Sequence, residues 1–259
     1  MQSARLILRA LPLMAVVLLA LVFGPGAATA DAALPSVTGV ESGVAYTENQ
    51  LSDEQAESRW AFVTRKTIAY AEPRGKGRKV RRLTTRTPDR THELVLALRE
   101  RVYEDGQVWV QVRLPMRGTD RKGWVRRGTL DKYRRVATRM EISRTRFTAK
   151  LYKNNRLIWS ARIGVGKKGT VTPTGNYYVR NRLITTQPRG PYGPYAFGLS
   201  AYSKTLTDWP GGGIIGIHGT NQPGILPGRV SHGCIRVKNS KIRRLFRLLP
   251  AGTPVKIVG

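Results

Sequence analysis

Ser231-His232-Gly233-Cys234-Ile235-Arg236 is the stretch on which the reading of this chain turns. It sets the chain's one cysteine two residues after an imidazole. His218, within Ile217-His218-Gly219-Thr220-Asn221, stands 13 residues ahead of Ser231, so two of the three histidines gather near the cysteine. The thiolate is the reactive form of cysteine, and a free thiol titrates near 8.5, so a nucleophilic role calls for a base. An imidazole can take that proton and later return it to an amine. In an extended segment His232 and Cys234 project to the same side, and spacing alone leaves open which histidine is the base. Backbone N–H groups around Gly233 and Cys234 could form an oxyanion hole, Gly233 permitting a turn that a larger residue resists. Two other readings exist: a small buried hydrophobe, and zinc held by His218, His232 and Cys234. The lack of any further cysteine speaks against zinc.

Working outward, the flanks read as β structure. Glu141-Ile142-Ser143, Arg146 to Tyr152 and Leu157 to Ser160 look like successive strands, with Asn154-Asn155 as a hairpin turn. Thr185 to Phe197 is rich in Pro and Gly and reads as a loop of the kind that forms lids. Gly211-Gly212-Gly213 reads as a turn before a strand leading to His218. Ile242, Leu245, Phe246 and Leu249 give one apolar helix face, with Asn239 or Ser240 as the expected cap. Val255 to Val258 is a last short strand.

A histidine, about a dozen residues, and then Ser-His-Gly-Cys-hydrophobic-Arg resembles the catalytic domain of the L,D-transpeptidases (YkuD-like). The resemblance extends to Gly164-Val165-Gly166, Thr172-Pro173-Thr174-Gly175 and Gly216-Ile217-His218-Gly219, over Thr138 to Gly259. It implies a mainly β catalytic domain with a short helix near the site. It further implies Cys234 as nucleophile, His218 as proton donor and acceptor, and His232 as a residue shaping the site. By the same resemblance the Gly219 carbonyl orients the base, Gly233 contributes oxyanion-hole backbone, and Arg236 with Ser231 contacts substrate. The implied reaction is acyl transfer between peptidoglycan stem peptides, giving 3→3 cross-links without metal or cofactor. Carbapenem-type inhibitors are expected to acylate the cysteine. Water as acceptor would give an L,D-carboxypeptidase, and a protein amine would give attachment of an envelope protein. A non-enzymatic wall-binding protein is the remaining alternative.

The first half reads as a separate unit. Val108-Trp109-Val110-Gln111-Val112 alternates as a strand, and Thr67 to Tyr70 and Gly123-Trp124-Val125 flank it. These segments resemble a bacterial SH3-like β-barrel over residues 58–135, with Trp109 and Trp124 as packing. Residues 31–57 are polar and small, and read as a flexible leader. Residues 1–30 read as an export signal: Arg5 and Arg9, an apolar run from Leu11 to Phe23, then Ala28-Thr29-Ala30. The run is short for a permanent span, so no stable membrane anchor is expected after cleavage. Net charge is +29, of which +27 would remain after the signal. The basic residues are scattered without a nucleic-acid motif, which favours anionic cell-wall polymers over nucleic acid as partners. Periplasm or cell wall is the expected location.

Overall fold

Sheet pairing in the computed structural model, which describes residues 35–208 and 210–259, gives two sheets of nine and ten strands. The one α-helix among the described residues spans Asn239–Leu248. The expected mainly β class holds. The export-signal segment, residues 1–30, lies outside the described residues. Among the described residues no helix is long and apolar enough to cross a membrane.

The nine-stranded sheet corrects one expectation. From residue 35 onward, the segment read as a flexible leader forms a hairpin of Ser36–Glu41 and Val44–Gln50, turning at Ser42 and Gly43, both at positive φ. Val44–Gln50 pairs with the long strand Leu94–Tyr103. It lacks apolar periodicity because cross-strand partners hold it instead. Glu48 accepts from Arg99 at 2.8 Å and Arg101 at 2.6 Å, and Tyr46 packs on Tyr103 at 5.5 Å. The strands Thr67–Tyr70, Val108–Arg113 and Lys122–Arg126 lie where the sequence puts them. Trp109 and Trp124 are buried together with Tyr103.

In the ten-stranded sheet, Thr138–Ser143, Thr148–Lys153 and Arg156–Arg162 run as an antiparallel meander. Asn154 and Asn155 both take positive φ, as a two-residue hairpin turn of the expected kind demands. The last strand, Pro254–Val258, lies parallel to Thr138–Ser143 and antiparallel to Gly175–Ile184. The loop expected over Thr185 to Phe197 is shorter, because a strand begins at Tyr195 and runs to Tyr202. Tyr195 stacks on Phe246 at 4.1 Å and Phe197 is fully buried, so apolar burial overrides the nearby Gly/Pro signals. The helix buries Ile242, Leu245 and the following Leu249 against the sheet. Its N-cap is Lys238 with no side-chain cap, not Asn239 or Ser240. Asn239 is drawn away: its Oδ1 accepts the Thr220 N–H at 2.9 Å.

Only Ala137 separates the strand Arg134–Val136 of the first sheet from Thr138–Ser143 of the second. Leu94, Leu96 and Leu98 pack with Tyr178 of the second sheet, alongside Trp60, Phe62 and Ala251. Gly252, at positive φ, lies so close to Trp60 that a Cβ there would stand 2.1 Å from the indole. Beside these contacts the Arg180 guanidinium forks onto Glu93, with Nε to Oε1 at 2.7 Å and Nη2 to Oε2. Both side chains are almost fully buried, and Arg180 Nη1 also donates to the Tyr202 hydroxyl at 2.9 Å.

Candidate active site

Strand Ile214–His218 pairs in parallel with Ile235–Arg236, Ile217 facing Ile235 and His218 facing Arg236. Both isoleucines are fully buried in the core. Side chains alternate along a strand, so Gly216, His218, Cys234 and Arg236 turn to the opposite face. There His218, Ser231, His232, Cys234 and Arg236 line one cavity of about 280 Å³. The two histidines and the thiol, separated in sequence, thus share one cavity.

Cys234 keeps partial exposure toward the cavity. Its Sγ accepts the Gly216 N–H at 3.4 Å. Burial pushes the thiol pKa up, opposed by that N–H and by the nearby Arg236 charge. His218 is 4% exposed. Its Nδ1 lies 2.6 Å from the Gly219 carbonyl, so Nδ1 carries the proton and donates, and Nε2 is left as the acceptor. Burial pulls its pKa down to about 4; the Gly219 carbonyl opposes this and the Arg236 charge adds to it. Near neutral pH the cavity therefore holds a thiol and a neutral imidazole. No carboxylate contributes to the charge balance of either group.

Ser231 is buried and works on the backbone. Its Oγ donates to the Cys234 carbonyl at 2.6 Å and accepts the Gly233 N–H at 3.1 Å. That N–H, expected to face an oxyanion, is directed at Ser231 instead. Gly233 sits at φ +120, a region that disfavours any residue with a Cβ. Thr172 Oγ1 donates to the Gly233 carbonyl at 2.7 Å and accepts the Gly166 N–H at 2.9 Å. The flanking Gly164-Val165-Gly166 and Thr172 segments thus serve as the scaffold of the cysteine turn. Gly219 has no room for a Cβ, which would lie 2.2 Å from Asn239 Oδ1. Arg236 Nη1 donates to Gln222 at 3.4 Å, while its Nε is buried without a hydrogen-bond partner.

Sequence reasoning missed several cavity walls. Tyr192 packs its ring 4.7 Å from His218. Pro191, Ser203, Leu206, Gly213, Ile214 and Ile215 complete the lining. The Pro/Gly run marked Tyr192's loop, but nothing in its residues marked which of them would face the histidine. Among the described residues no group of three or more His, Cys, Asp or Glu is placed to hold a metal ion, so His218, His232 and Cys234 do not make the zinc cluster weighed above.

Residues 137–257 match the family model described as YkuD, the L,D-transpeptidase catalytic domain. This part of the chain is a YkuD L,D-transpeptidase catalytic domain. A protein of Bacillus licheniformis named as the L,D-transpeptidase YkuD is 37% identical over 47% of this chain and 66% of its own length. One of Escherichia coli K12 named as the L,D-transpeptidase YbiS is 32% identical over 42% of this chain and 34% of its own. The chain therefore spans less than two thirds of the length of these curated relatives. A solved structure described as the Ldtfm-avibactam carbamoyl enzyme is 27% identical, with a TM-score of 0.37 over 47% of this chain and 49% of that one. The YkuD domain begins one residue before Thr138, directly where the second sheet starts.

Proposed function

We propose that this protein is a peptidoglycan L,D-transpeptidase that forms 3→3 cross-links through an acyl-enzyme on Cys234. The observation that carries the reading is the parallel pairing that turns His218 and Cys234 into one cavity. His218 Nε2 takes the Cys234 proton as sulfur attacks the carbonyl of the diaminoacid residue in a tetrapeptide stem. The C–N bond to terminal D-alanine breaks, and the imidazolium gives its proton to the departing amine. The side-chain amine of a second stem then attacks the thioester. It passes a proton to His218, which returns it to the leaving thiolate, and the enzyme is regenerated.

The cavity's charge supports an anionic substrate. Its lining contains Arg236 and no carboxylate, so Arg236 is assigned to a stem carboxylate. The Cys234 N–H is assigned to the developing oxyanion, and His232, on the cavity lining, to shaping the site. The N-terminal sheet is assigned as an SH3-like wall-binding unit. The excess of 45 Lys and Arg over 16 acidic residues supports residence beside anionic wall polymers in the envelope. The test is intact-mass spectrometry after exposure to a carbapenem. One adduct is expected on the wild type and none on C234A; an adduct that persists on C234A, or its absence from folded wild type, overturns the reading.

A further inference from the structure

Ser203, Leu206 and Gly213 form one wall of the Cys234 cavity. The wall is built on three glycines, Gly211, Gly212 and Gly213, all at positive φ, of 74°, 71° and 79°, a backbone that residues with a Cβ resist. Its neck is closed by Ser203 N–H to Gly213 O at 2.7 Å, and Ser203 Oγ accepts the Leu206 N–H at 3.0 Å. Three of its carbonyls accept from a single side chain of the other sheet. Arg117 Nε donates to Ser203 O at 3.1 Å, and Nη2 donates to Leu206 O at 3.2 Å and Gly212 O at 2.7 Å. The guanidinium carbon also stands 5.8 Å from the Tyr202 ring centroid.

We infer that Arg117, contributed by the N-terminal sheet, is a positioning residue for the acyl-transfer site, bracing the cavity wall that receives the stem peptide. A rigid planar fork of donors suits three carbonyls drawn from separate points of one loop; a lysine ammonium has no such fork. The brace is anchored at its base. Arg117 lies in the connection between the strands Val108–Arg113 and Lys122–Arg126, which grips the catalytic domain at a second place. Asp120 Oδ1 accepts the Asn176 N–H at 2.9 Å, and Thr119 Oγ1 donates to Thr174 O at 3.3 Å. A Cβ on Gly175 would stand 2.7 Å from Thr119 Cγ2, so the two segments are in close contact. The N-terminal sheet therefore completes the substrate site in addition to any role in wall binding.

The inference rests on the transpeptidase reading for its kinetic readout, and on hydrogen exchange for one independent of it. In the full chain, R117A is expected to raise amide exchange across residues 203–208 and 211–213 by about tenfold, equivalent to about 1.4 kcal/mol. KM for a tetrapeptide stem rises by about tenfold while kcat changes by less than about threefold, because the thiol and imidazole are untouched. R117K recovers less than half of the loss. R117Q, which keeps a polar side chain, stands in if R117A does not fold. Unchanged exchange in a folded variant overturns the brace, as does a fall in kcat at constant KM. If the wild type turns over no stem peptide, the transpeptidase reading fails and the exchange result alone decides the role of Arg117.

Discussion

The junction between the two sheets and the Cys234 cavity both bury titratable side chains, yet they treat charge in opposite ways. At the junction Glu93 meets Arg180 through two hydrogen bonds, and the hydroxyl of Tyr202 takes a third donor. In the cavity His218 and Cys234 are given only backbone partners, the Gly219 carbonyl and the Gly216 N–H. Paired charges stay ionised and fix geometry; unpaired groups move toward neutrality and remain able to exchange a proton. One burial ties the two sheets together, and the other leaves two groups free to exchange a proton.

The largest expected effect falls on the reactive side. H218N should lower the rate of Cys234 acylation by about 10³-fold, the middle of the range for a general base. Thermal stability should hold, since Asn occupies the buried position without a charge to neutralise; a rate within tenfold of wild type would break the comparison. Next comes the junction. R180M alone strands a buried carboxylate and should cost about 3–5 kcal/mol in urea unfolding, whereas E93L/R180M should lie within about 1–2 kcal/mol of wild type. If the single and double variants behave alike, the ion pair is not a coupled unit.

The pH dependence sharpens the contrast. His218 titrates near 4 in the folded state against 6.5 in the ordinary range. Below about 6.5 the unfolded chain binds a proton that the native cavity refuses, so stability falls as pH drops to about 4. The loss is on the order of 3 kcal/mol. It should be absent from H218N when melting temperatures are compared between pH 7 and pH 4. The Cys234 thiol has the opposite sign: its raised pKa removes stability in alkali, where the unfolded thiol ionises first. The smallest effect belongs to the first hairpin, where the half-buried Glu48 keeps a hydrogen-bonding oxygen in E48Q, which should cost about 1 kcal/mol by denaturant midpoint.

Much of the cavity could be read in the sequence because its chemistry uses rare residues. A lone cysteine and clustered histidines stand out, and the hydrophobic spacing of Ile242, Leu245 and Leu249 likewise marks a helix. The first hairpin could not be seen in this way. Its residues are held by Glu48 against Arg99 and Arg101, and pairings between distant strands leave no local periodicity. Asn239 looked like a helix cap because capping is what Asn does near a helix start; its tie to Thr220 is a tertiary contact. Arg117 is one arginine in a chain where Lys and Arg total 45. Its three carbonyl partners belong to a loop that spacing does not connect to it.

The side-by-side pairing of Ile214–His218 with Ile235–Arg236 has an evolutionary consequence. The ladder, together with the Ser231–Cys234 turn, and not the stretch around Pro223, places the imidazole and the sulfur in one cavity. Doubling a flexible loop adds only about 0.6 kcal/mol of closure entropy. The turn at Pro223–Ile225 within the connection can therefore diversify in length. A slip of one residue in the ladder would turn one of the two groups away from the other. Insertions between Pro223 and Leu226, in the short turn outside the cavity lining, should be tolerated in this domain, whereas an insertion within either strand should not.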